Sequence, residues 1–308
     1  MPSSCDRCSG AAVVWQRYSG EHLCDRHLRE SVERRARKEL ASQAELPRDA
    51  RVVVAYSGGK DSTVALHLMA DLRTVRPDLE LLALTVDEGI AGYRPPAIAL
   101  ASEVAKGLRI EHAVRRTKDL AGIDVDAAQA DGPGASRCGF CGVFRRRLMN
   151  DYAREVGAHA VVTGHNLDDT AQSVLMNLSS ANLDRLAKLA PHEEPRHGFV
   201  GRLLPLRTIP ETEVFLYAHL RGLRWHDDEC PYAAAAQRGV YRDVLYQLEE
   251  ARPGTRHALL RTHEQLRPLL LQTPEDAPMR GCAACGEPTS GERCKVCEFR
   301  ARYAVAPA

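Results

Sequence analysis

The sequence predicts an α/β protein built on a doubly wound parallel sheet, with a zinc-binding module near each end of the chain. Short apolar runs alternate with helical segments from Arg51 onward, and strands that alternate with helices form parallel sheets. The apolar runs are continuous, which is typical of strands buried on both faces. Paired cysteines with metal-ligand spacing occur near both termini.

Composition limits the partners and the location of the protein. The 308 residues include 42 Lys and Arg against 41 Asp and Glu, which gives a net charge of +1. A polyanionic partner must therefore be bound by local basic patches. The first residues lack the apolar core of a signal peptide, and no stretch approaches membrane-spanning length. We expect a cytoplasmic protein with no membrane partner, in which the 10 cysteines bind metal and do not form disulfides.

The N-terminal cysteines form the first predicted zinc site. Cys5-x2-Cys8 is followed by Cys24-x2-His27, and three thiolates with one imidazole suit tetrahedral zinc. The repeated spacing favours His27 over His22, and a redox CxxC pair is the alternative. Because the surrounding residues are polar, we expect metal binding to supply the folding energy of this module.

The main domain begins with a strand, a glycine turn and a helix. The apolar run 52–56 precedes the hexapeptide SGGKDS at 57–62, and a helical segment follows. This geometry directs backbone N–H groups and a helix N-terminus at phosphates. The hexapeptide differs from the Walker pattern. It resembles the PP-loop of the N-type ATP pyrophosphatases, which split ATP between its α and β phosphates. The ATP ligands that this resemblance implies are Ser57, Gly58, Gly59, Lys60, Asp61 and Ser62.

Further strands and helices follow in alternation. The predicted strands are 81–86, 110–114 and 158–163, and the predicted helices are 95–108, 142–156 and 170–178. Polar segments follow three strands, at 57–62, 87–89 and 164–169. Because ligands bind at the carboxyl ends of parallel strands, we expect these segments to converge. Beyond Pro210 the predicted helices are 211–220, 241–250 and 255–270.

The C-terminal cysteines form a zinc-ribbon pattern. Cys282-x2-Cys285 and Cys294-x2-Cys297 are separated by a segment rich in glycine and proline. The predicted organisation is a zinc knuckle (1–30), an exposed linker helix (31–50), an ATP-binding catalytic domain (51–225), a helical extension (226–275) and a zinc ribbon (276–308).

Three cysteines remain: Cys138, Cys141 and Cys230. Three thiolates cannot complete the four-cysteine set that is usual for an iron–sulfur cluster. They can hold three irons of a cubane and leave the fourth iron open. A third zinc site with an open position, or a redox CxxC pair with an unrelated Cys230, is the alternative.

Several motifs occur together in a distinctive order. They are SGGKDS, VDEGIAGYR from Val86, CGFCGVFRR from Cys138, GHNLDD from Gly164, and ECPY from Glu229. With zinc knuckles at both ends, they resemble the tRNA 2-thiouridine synthetases of the TtuA type and their archaeal and eukaryotic wobble-uridine relatives. The resemblance implies a 4Fe–4S cluster on Cys138, Cys141 and Cys230. One departure is Arg145, where the TtuA branch has Lys, so we interpret Arg145 as an ATP ligand.

The resemblance also implies a reaction. ATP with Mg²⁺ adenylates the C2 oxygen of a tRNA uridine, pyrophosphate leaves, and a cluster-bound sulfide replaces AMP to give 2-thiouridine. The motifs favour the wobble position over position 54. The implied catalytic residues are Asp61, Asp169 and the three cluster cysteines, and Gly164 joins the ATP ligands. Helix N-capping is the alternative for Asp168 and Asp169.

Partners and rival functions complete the predictions. The implied partners are tRNA, contacted by residues 145–147 and 34–38, and a ubiquitin-like thiocarboxylated sulfur carrier. A solvated helix face is the alternative for 34–38, and a homodimer is left open. The implied cofactors are ATP, Mg²⁺, one 4Fe–4S cluster and two zinc ions. The rival functions are another PP-loop tRNA ligase, forming 2-thiocytidine or lysidine, and a non-catalytic zinc-ribbon RNA-binding scaffold.

Overall fold

The computed structural model describes residues 3–128, 137–189, 191, 198–233, 238–271 and 279–303. Its strands are β1 (Val14–Gln16), β2 (Glu21–Leu23), β3 (Arg51–Ala55), β4 (Glu80–Asp87), β5 (Glu111–Arg116), β6 (Ala160–Thr163), β7 (Gly201–Leu203), β8 (Arg280–Gly281) and β9 (Pro288–Thr289). Its helices are α1 (Asp25–Gln43), α2 (Lys60–Val75), α3 (Arg94–Gly107), α4 (Thr117–Ala121), α5 (Arg137–Glu155), α6 (Leu167–Ser179), α7 (Leu183–Ala187), α8 (Glu211–Leu220), α9 (Arg238–Ala251), α10 (Thr255–Leu270) and α11 (Lys295–Tyr303).

The central sheet has five parallel strands in the order β5-β4-β3-β6-β7. Val52 of β3 pairs with Leu81 of β4 on one side and with Ala160 of β6 on the other. The chain adds β4 and β5 on one side of β3 and then crosses to add β6 and β7 on the other. The strand order therefore reverses between β3 and β6, where open α/β sheets bind ligands. The predicted doubly wound sheet is confirmed.

Helices cover both faces of this sheet because its strands are apolar on both faces. Val52 and Val54 pack in a cluster with residues of α1, α2, α3 and α8. Val53 faces the other way and packs with Tyr152 and Ala153 of α5. The three valines are fully buried, which explains the continuous apolar run. The short strand β7 was not predicted, since its three residues are too few for a periodic signal.

Helix α1 differs from the exposed linker helix that the sequence predicted. It begins at Asp25, and Leu28, Val32, Ala36 and Leu40 are buried in the central core. Their spacing of four residues makes an apolar stripe along one side of the helix. The expectation of an exposed helix is wrong for that face, and the N-terminal module packs against the main core. The charged residues of 34–38 lie mainly on the other face, although Arg35 is partly buried in an ion pair with Glu213.

The C-terminal ribbon packs against α5. Phe140 and Phe144 of α5 share a cluster with Cys282, Val296 and the partly buried Phe299. Helix α5 begins at Arg137, five residues before its predicted start, so both cysteines of the central CxxC lie on it. Helices α8, α9 and α10 confirm the helical region after Pro210. Within the described ranges, no helix is both long and apolar enough to cross a bilayer.

Candidate functional site

The loop between β3 and α2 has a geometry that requires glycine. Gly58 has φ of +84°, and a Cβ there would lie 2.8 Å from the carbonyl oxygen of Ala97. Ser62 Oγ donates to the Gly59 carbonyl over 2.9 Å, and the Ser57 N–H donates to Ser62 Oγ over 3.2 Å. Gly59 is the N-cap of α2 and has no side chain to cap it. The first N–H groups of α2 are therefore available to an anion.

Gly164 holds the end of β6 against this loop. A Cβ at Gly164 would lie 2.7 Å from both the carbonyl carbon of Asp61 and the nitrogen of Ser62. Glycine is needed here because the neighbouring atoms are backbone and cannot rotate away. The sequence assigned Gly164 to cofactor binding. In the structure Gly164 lies in the wall of a cavity at the carboxyl edge of the sheet, where it also packs against the loop.

Asn166 joins the two strand ends at the switch point. Its Nδ2 donates to Asp61 Oδ1 over 3.1 Å, and its Oδ1 accepts from the Asp169 N–H over 3.1 Å. Asp169 Oδ2 accepts in turn from the Asn166 N–H, which completes a capping box. The other oxygen of Asp169 pairs with Arg238 at 3.1 Å. Asp169 thus both caps α6 and lines the cavity. Sequence reasoning missed Asn166, although Asn is a favoured N-cap residue.

Asp61 and Lys60 occupy the first turn of α2. Burial raises the pKa of Asp61 to about 6, and Asp169 adds to this, whereas Lys60 and the Asn166 hydrogen bond oppose it. Lys60 Nζ lies 2.9 Å from Glu211 Oε1 and 3.8 Å from Asp61 Oδ1. The ammonium group is therefore held by carboxylates at the loop. Glu211 begins α8 and was not predicted to reach the site.

The contacts of Asp168 hold helices together. Asp168 is buried, its Oδ1 lies 3.0 Å from Arg256 Nε, and its Oδ2 accepts from the Glu211 N–H over 2.8 Å. These bonds connect the starts of α6, α8 and α10. Asp168 therefore positions these helices and does not line the cavity.

A cavity of about 400 Å³ lies at the carboxyl edge of the sheet. Of the three predicted segments, its wall contains Ser57, Asp61, Ser62, Glu88, Gly164, His165 and Asp169, so the expected convergence is confirmed. The apolar part of the wall includes Leu84, Met149 and Leu204. A concave site with an apolar wall and a few polar groups suits a nucleotide. His165 is exposed on the cavity wall, where desolvation by its neighbours, with the positive charges of Arg238, Arg202 and Arg145, lowers the pKa of its ring.

The residues after Cys141 on α5 take different directions. Arg145 lines the cavity, 3.7 Å from Glu88 Oε1, and Arg146 lines it too. Glu88 also forms a buried ion pair with Arg94 at 2.7 Å. Arg147 pairs with Asp151 and, at 3.4 Å, with Glu287 of the ribbon. Arg147 was predicted as a tRNA contact, but its position fits attachment of the ribbon to α5.

The three remaining cysteines lie beside the cavity. Cys138 Sγ donates to the Tyr232 carbonyl over 3.6 Å, and Cys141 and Cys230 pack in the same apolar cluster as Tyr232. The loop that carries Cys230 is tied to the PP-loop, because the His226 N–H donates to the Gly58 carbonyl over 2.8 Å. Burial raises the pKa of Cys141 to about 11, while Arg145 opposes this shift.

Two compact metal-ligand groups occur among the described residues. Cys5, Cys8, Cys24 and His27 form one, and Cys282, Cys285, Cys294 and Cys297 form the other, each with all ligand atoms within 4.8 Å. His27 presents Nδ1, 3.2 Å from Cys5 Sγ, whereas His22 stacks on Trp15. Cys138, Cys141 and Cys230 do not form so tight a group in the described chain. Cysteine thiolates are the usual ligands of iron–sulfur clusters, and Cys141 and Cys230 pack against apolar residues, so the donor set fits such a group.

The fold and the site define a PP-loop protein with a thiol group beside its nucleotide cavity. Residues 28–249 match the family model of the PP-loop domain. The chain is 40% identical to the tRNA 2-thiolation protein NcsA of Haloferax volcanii, over 96% of this chain and 97% of that protein. It is 39% identical to the cytoplasmic tRNA 2-thiolation protein 1 of Bos taurus, over 96% of this chain and 87% of that one.

A solved structure extends this similarity to three dimensions. The U34-tRNA thiolase NcsA from Methanococcus maripaludis, solved with its [4Fe-4S] cluster, superposes with a TM-score of 0.83 at 31% identity. The match covers 99% of this chain and 97% of that one. The chain belongs to the tRNA 2-thiolation family of PP-loop proteins.

Proposed function

We propose that the protein is a tRNA uridine 2-sulfurtransferase that uses ATP to activate the C2 oxygen and replaces this oxygen with sulfur. The main support for the proposal is the position of the functional residues along α5. Cys138 and Cys141 lie at its start, and Arg145, about one turn further along, lines the nucleotide cavity. One helix therefore connects a thiol group suited to a soft metal with a site suited to ATP.

The activation step is assigned to the PP-loop. A uridine C2 oxygen is a poor leaving group, so it attacks the α-phosphate of ATP and pyrophosphate departs. The free N–H groups of α2 and the Lys60 ammonium stabilise the charge on pyrophosphate. Asp61 and Asp169 are the carboxylates that would hold Mg²⁺, since both line the cavity. Arg145 of α5, which also lines the cavity, neutralises phosphate charge.

The sulfur step is assigned to the region of the three cysteines. Cys138, Cys141 and Cys230 would hold a 4Fe–4S cluster, which supplies an iron without a protein ligand to carry the sulfur. A C2–S bond forms, the C2–O bond breaks, and AMP leaves with the oxygen, with no net oxidation or reduction. The apolar neighbours of the thiols, including Ile90 and Phe140, keep water away from this step.

The finer assignments belong to the same proposal. We assign the wobble uridine as the target, in line with the name of the Methanococcus maripaludis relative, and the cytoplasm as the location, in line with the name of the bovine one. The N- and C-terminal ligand groups would each hold one zinc ion. The ubiquitin-like sulfur carrier stays a prediction from the sequence resemblance, and a homodimer stays open.

The test combines two measurements. Mass spectrometry of tRNA nucleosides from a deletion strain should show loss of wobble 2-thiouridine. Loss of 2-thiocytidine or lysidine instead would identify one of the rival ligases. Purified protein should release pyrophosphate from ATP when tRNA is added, and Asp61→Ala should abolish this release. A wild-type protein that binds tRNA but never releases pyrophosphate would be the RNA-binding scaffold.

A further inference from the structure

Among the residues that the structure describes, three arginines beside the nucleotide cavity have no anionic partner. Arg146 of α5 and Arg202 of β7 line the cavity, and the exposed Arg185 of α7 lies near Arg146. Within the part of the chain that the structure describes, their guanidinium groups make no hydrogen bond or ion pair. The other cavity arginines differ, because Arg94 and Arg145 lie near Glu88 and Arg238 pairs with Asp169.

The positive charges of these neighbouring arginines repel one another when no anion lies between them. Arg146 is exposed at the cavity, where partial desolvation by the cavity wall, together with the positive charges of Arg202, Arg145 and Arg185, lowers its pKa to about 10. Burial also lowers the pKa of Arg202. An anion placed among these groups would remove the repulsion and gain charge-assisted hydrogen bonds, which arginine makes bidentately with phosphate.

The cluster is separate from the PP-loop. The loop lies at the end of β3, whereas β7 is two strands away at the edge of the sheet, and α7 follows the helix that leaves β6. The PP-loop has its own phosphate donors in Lys60 and the start of α2. When a nucleotide is bound at that loop, the arginines on the β7 side of the cavity are available to bind a second anion.

We propose that Arg146, Arg202 and Arg185 bind backbone phosphates of the RNA next to the target uridine and guide that nucleotide into the cavity. The inference rests on the proposed function and names the residues that receive its substrate. A base that enters the cavity must bring its flanking phosphates to the mouth. Arg185 is exposed and extends the cluster to the surface, as a polynucleotide requires and a mononucleotide does not. The chain has a net charge of only +1, so its general field does not hold RNA.

The test compares single variants in full-length protein with its metals in place. Arg146→Gln, Arg202→Gln and Arg185→Gln should each weaken tRNA binding about tenfold. Each should also reduce the slope of log K against log salt by roughly 0.7–0.9. ATP affinity, measured by calorimetry without tRNA, should stay within about twofold of wild type. Arg48→Gln is the matched control, because Arg48 is exposed and precedes the amino end of the central strand β3, whereas the cavity lies at the carboxyl ends of the strands.

The outcomes separate the possible ligands. Weaker ATP binding with unchanged tRNA binding would assign the arginines to the nucleotide and overturn the proposal. A wild-type salt slope in Arg185→Gln, whose exposed side chain puts folding at no risk, would overturn it too. If wild-type protein itself binds no tRNA, the proposed function fails, and that result differs from either of these.

Discussion

Asn166 and Asp61 are joined by a hydrogen bond of 3.1 Å, although 105 residues separate them in the sequence. The bond links the N-cap of α6 to the first turn of α2 across the point where the strand order reverses. It orients one Asp61 oxygen and favours the ionised carboxylate. The geometry of the PP-loop thus depends on the segment after β6 as well as on its own residues.

Asp61→Asn should stabilise the folded protein at alkaline pH while abolishing pyrophosphate release. Burial raises the pKa of Asp61 from 3.8 to about 6, so ionisation costs more in the folded state than in the unfolded state. This cost is fully present above pH 6 and disappears as the pH falls from 6 towards 4. Without nucleotide or Mg²⁺, the variant should therefore melt above wild type at pH 8, with the difference shrinking towards pH 4. Asp119→Asn, on the surface of α4, is the control; equal melting of Asp61→Asn and wild type at pH 8 would refute the prediction.

Gly164→Ala should damage the nucleotide site. The added Cβ would meet the backbone of Asp61 and Ser62 at 2.7 Å, so the loop or the end of β6 must move. We expect a loss of ~1–3 kcal/mol in the free energy of unfolding, which is usual for overpacking, and a marked loss of ATP affinity. Gly239→Ala is the matched control, since a Cβ there meets nothing within 4 Å. Denaturant titration and calorimetry on both variants measure the effects, and normal ATP binding by Gly164→Ala would show that the contact is not needed.

Glu211→Gln should tighten ATP binding, and Lys60→Ala should weaken it. Glu211 holds the Lys60 ammonium at 2.9 Å, and this carboxylate competes with phosphate for the same cation. Neutralising Glu211 leaves Lys60 freer to bind phosphate, with an expected gain of a few-fold. Lys106→Ala, at the exposed end of α3, should change nothing. A weaker ATP affinity in Glu211→Gln would mean that Glu211 supports the site by a route other than Lys60.

Cys230→Ser should remove iron and sulfide while leaving zinc in place. The two compact ligand groups do not include Cys230, so about two zinc ions per chain should remain. The wild type, purified without oxygen, should contain one cluster in addition. Metal and acid-labile sulfide analysis decides this, with Cys297→Ser as the control that loses zinc and keeps iron. Three zinc ions and no sulfide in the wild type would contradict the cluster assignment.

Arg145→Ala and Cys138→Ala should fail at different steps. Arg145 faces the cavity, so its removal should lower ATP affinity and keep the cluster, with Arg145→Lys milder because the charge survives. Cys138→Ala should bind ATP almost normally and form no 2-thiouridine when sulfide is supplied. Calorimetry and nucleoside mass spectrometry on the same preparations separate the steps. Wild-type thiolation by a Cys138→Ala protein without cluster would show that iron does not carry the sulfur.

Local patterns in the sequence were enough to predict the doubly wound sheet, the PP-loop and the pairing of the terminal cysteines. Each depends on residues close together in the chain: an apolar run, a glycine turn before a helix, or thiols two residues apart. The same patterns, with the rule that carboxyl ends of parallel strands share an edge, predicted the convergence of three loops. The domain boundaries stay a prediction.

The tertiary structure alone decided which distant residues meet these local elements. It brings Asn166 to Asp61, Glu211 to Lys60 and Arg202 to the cavity. It also buries one face of α1, which the sequence had suggested was exposed. Such contacts depend on how elements from remote parts of the chain pack together, and a charged side chain carries no local signal of its future neighbour. Sequence by itself therefore determined the type of site, and packing determined its full set of residues.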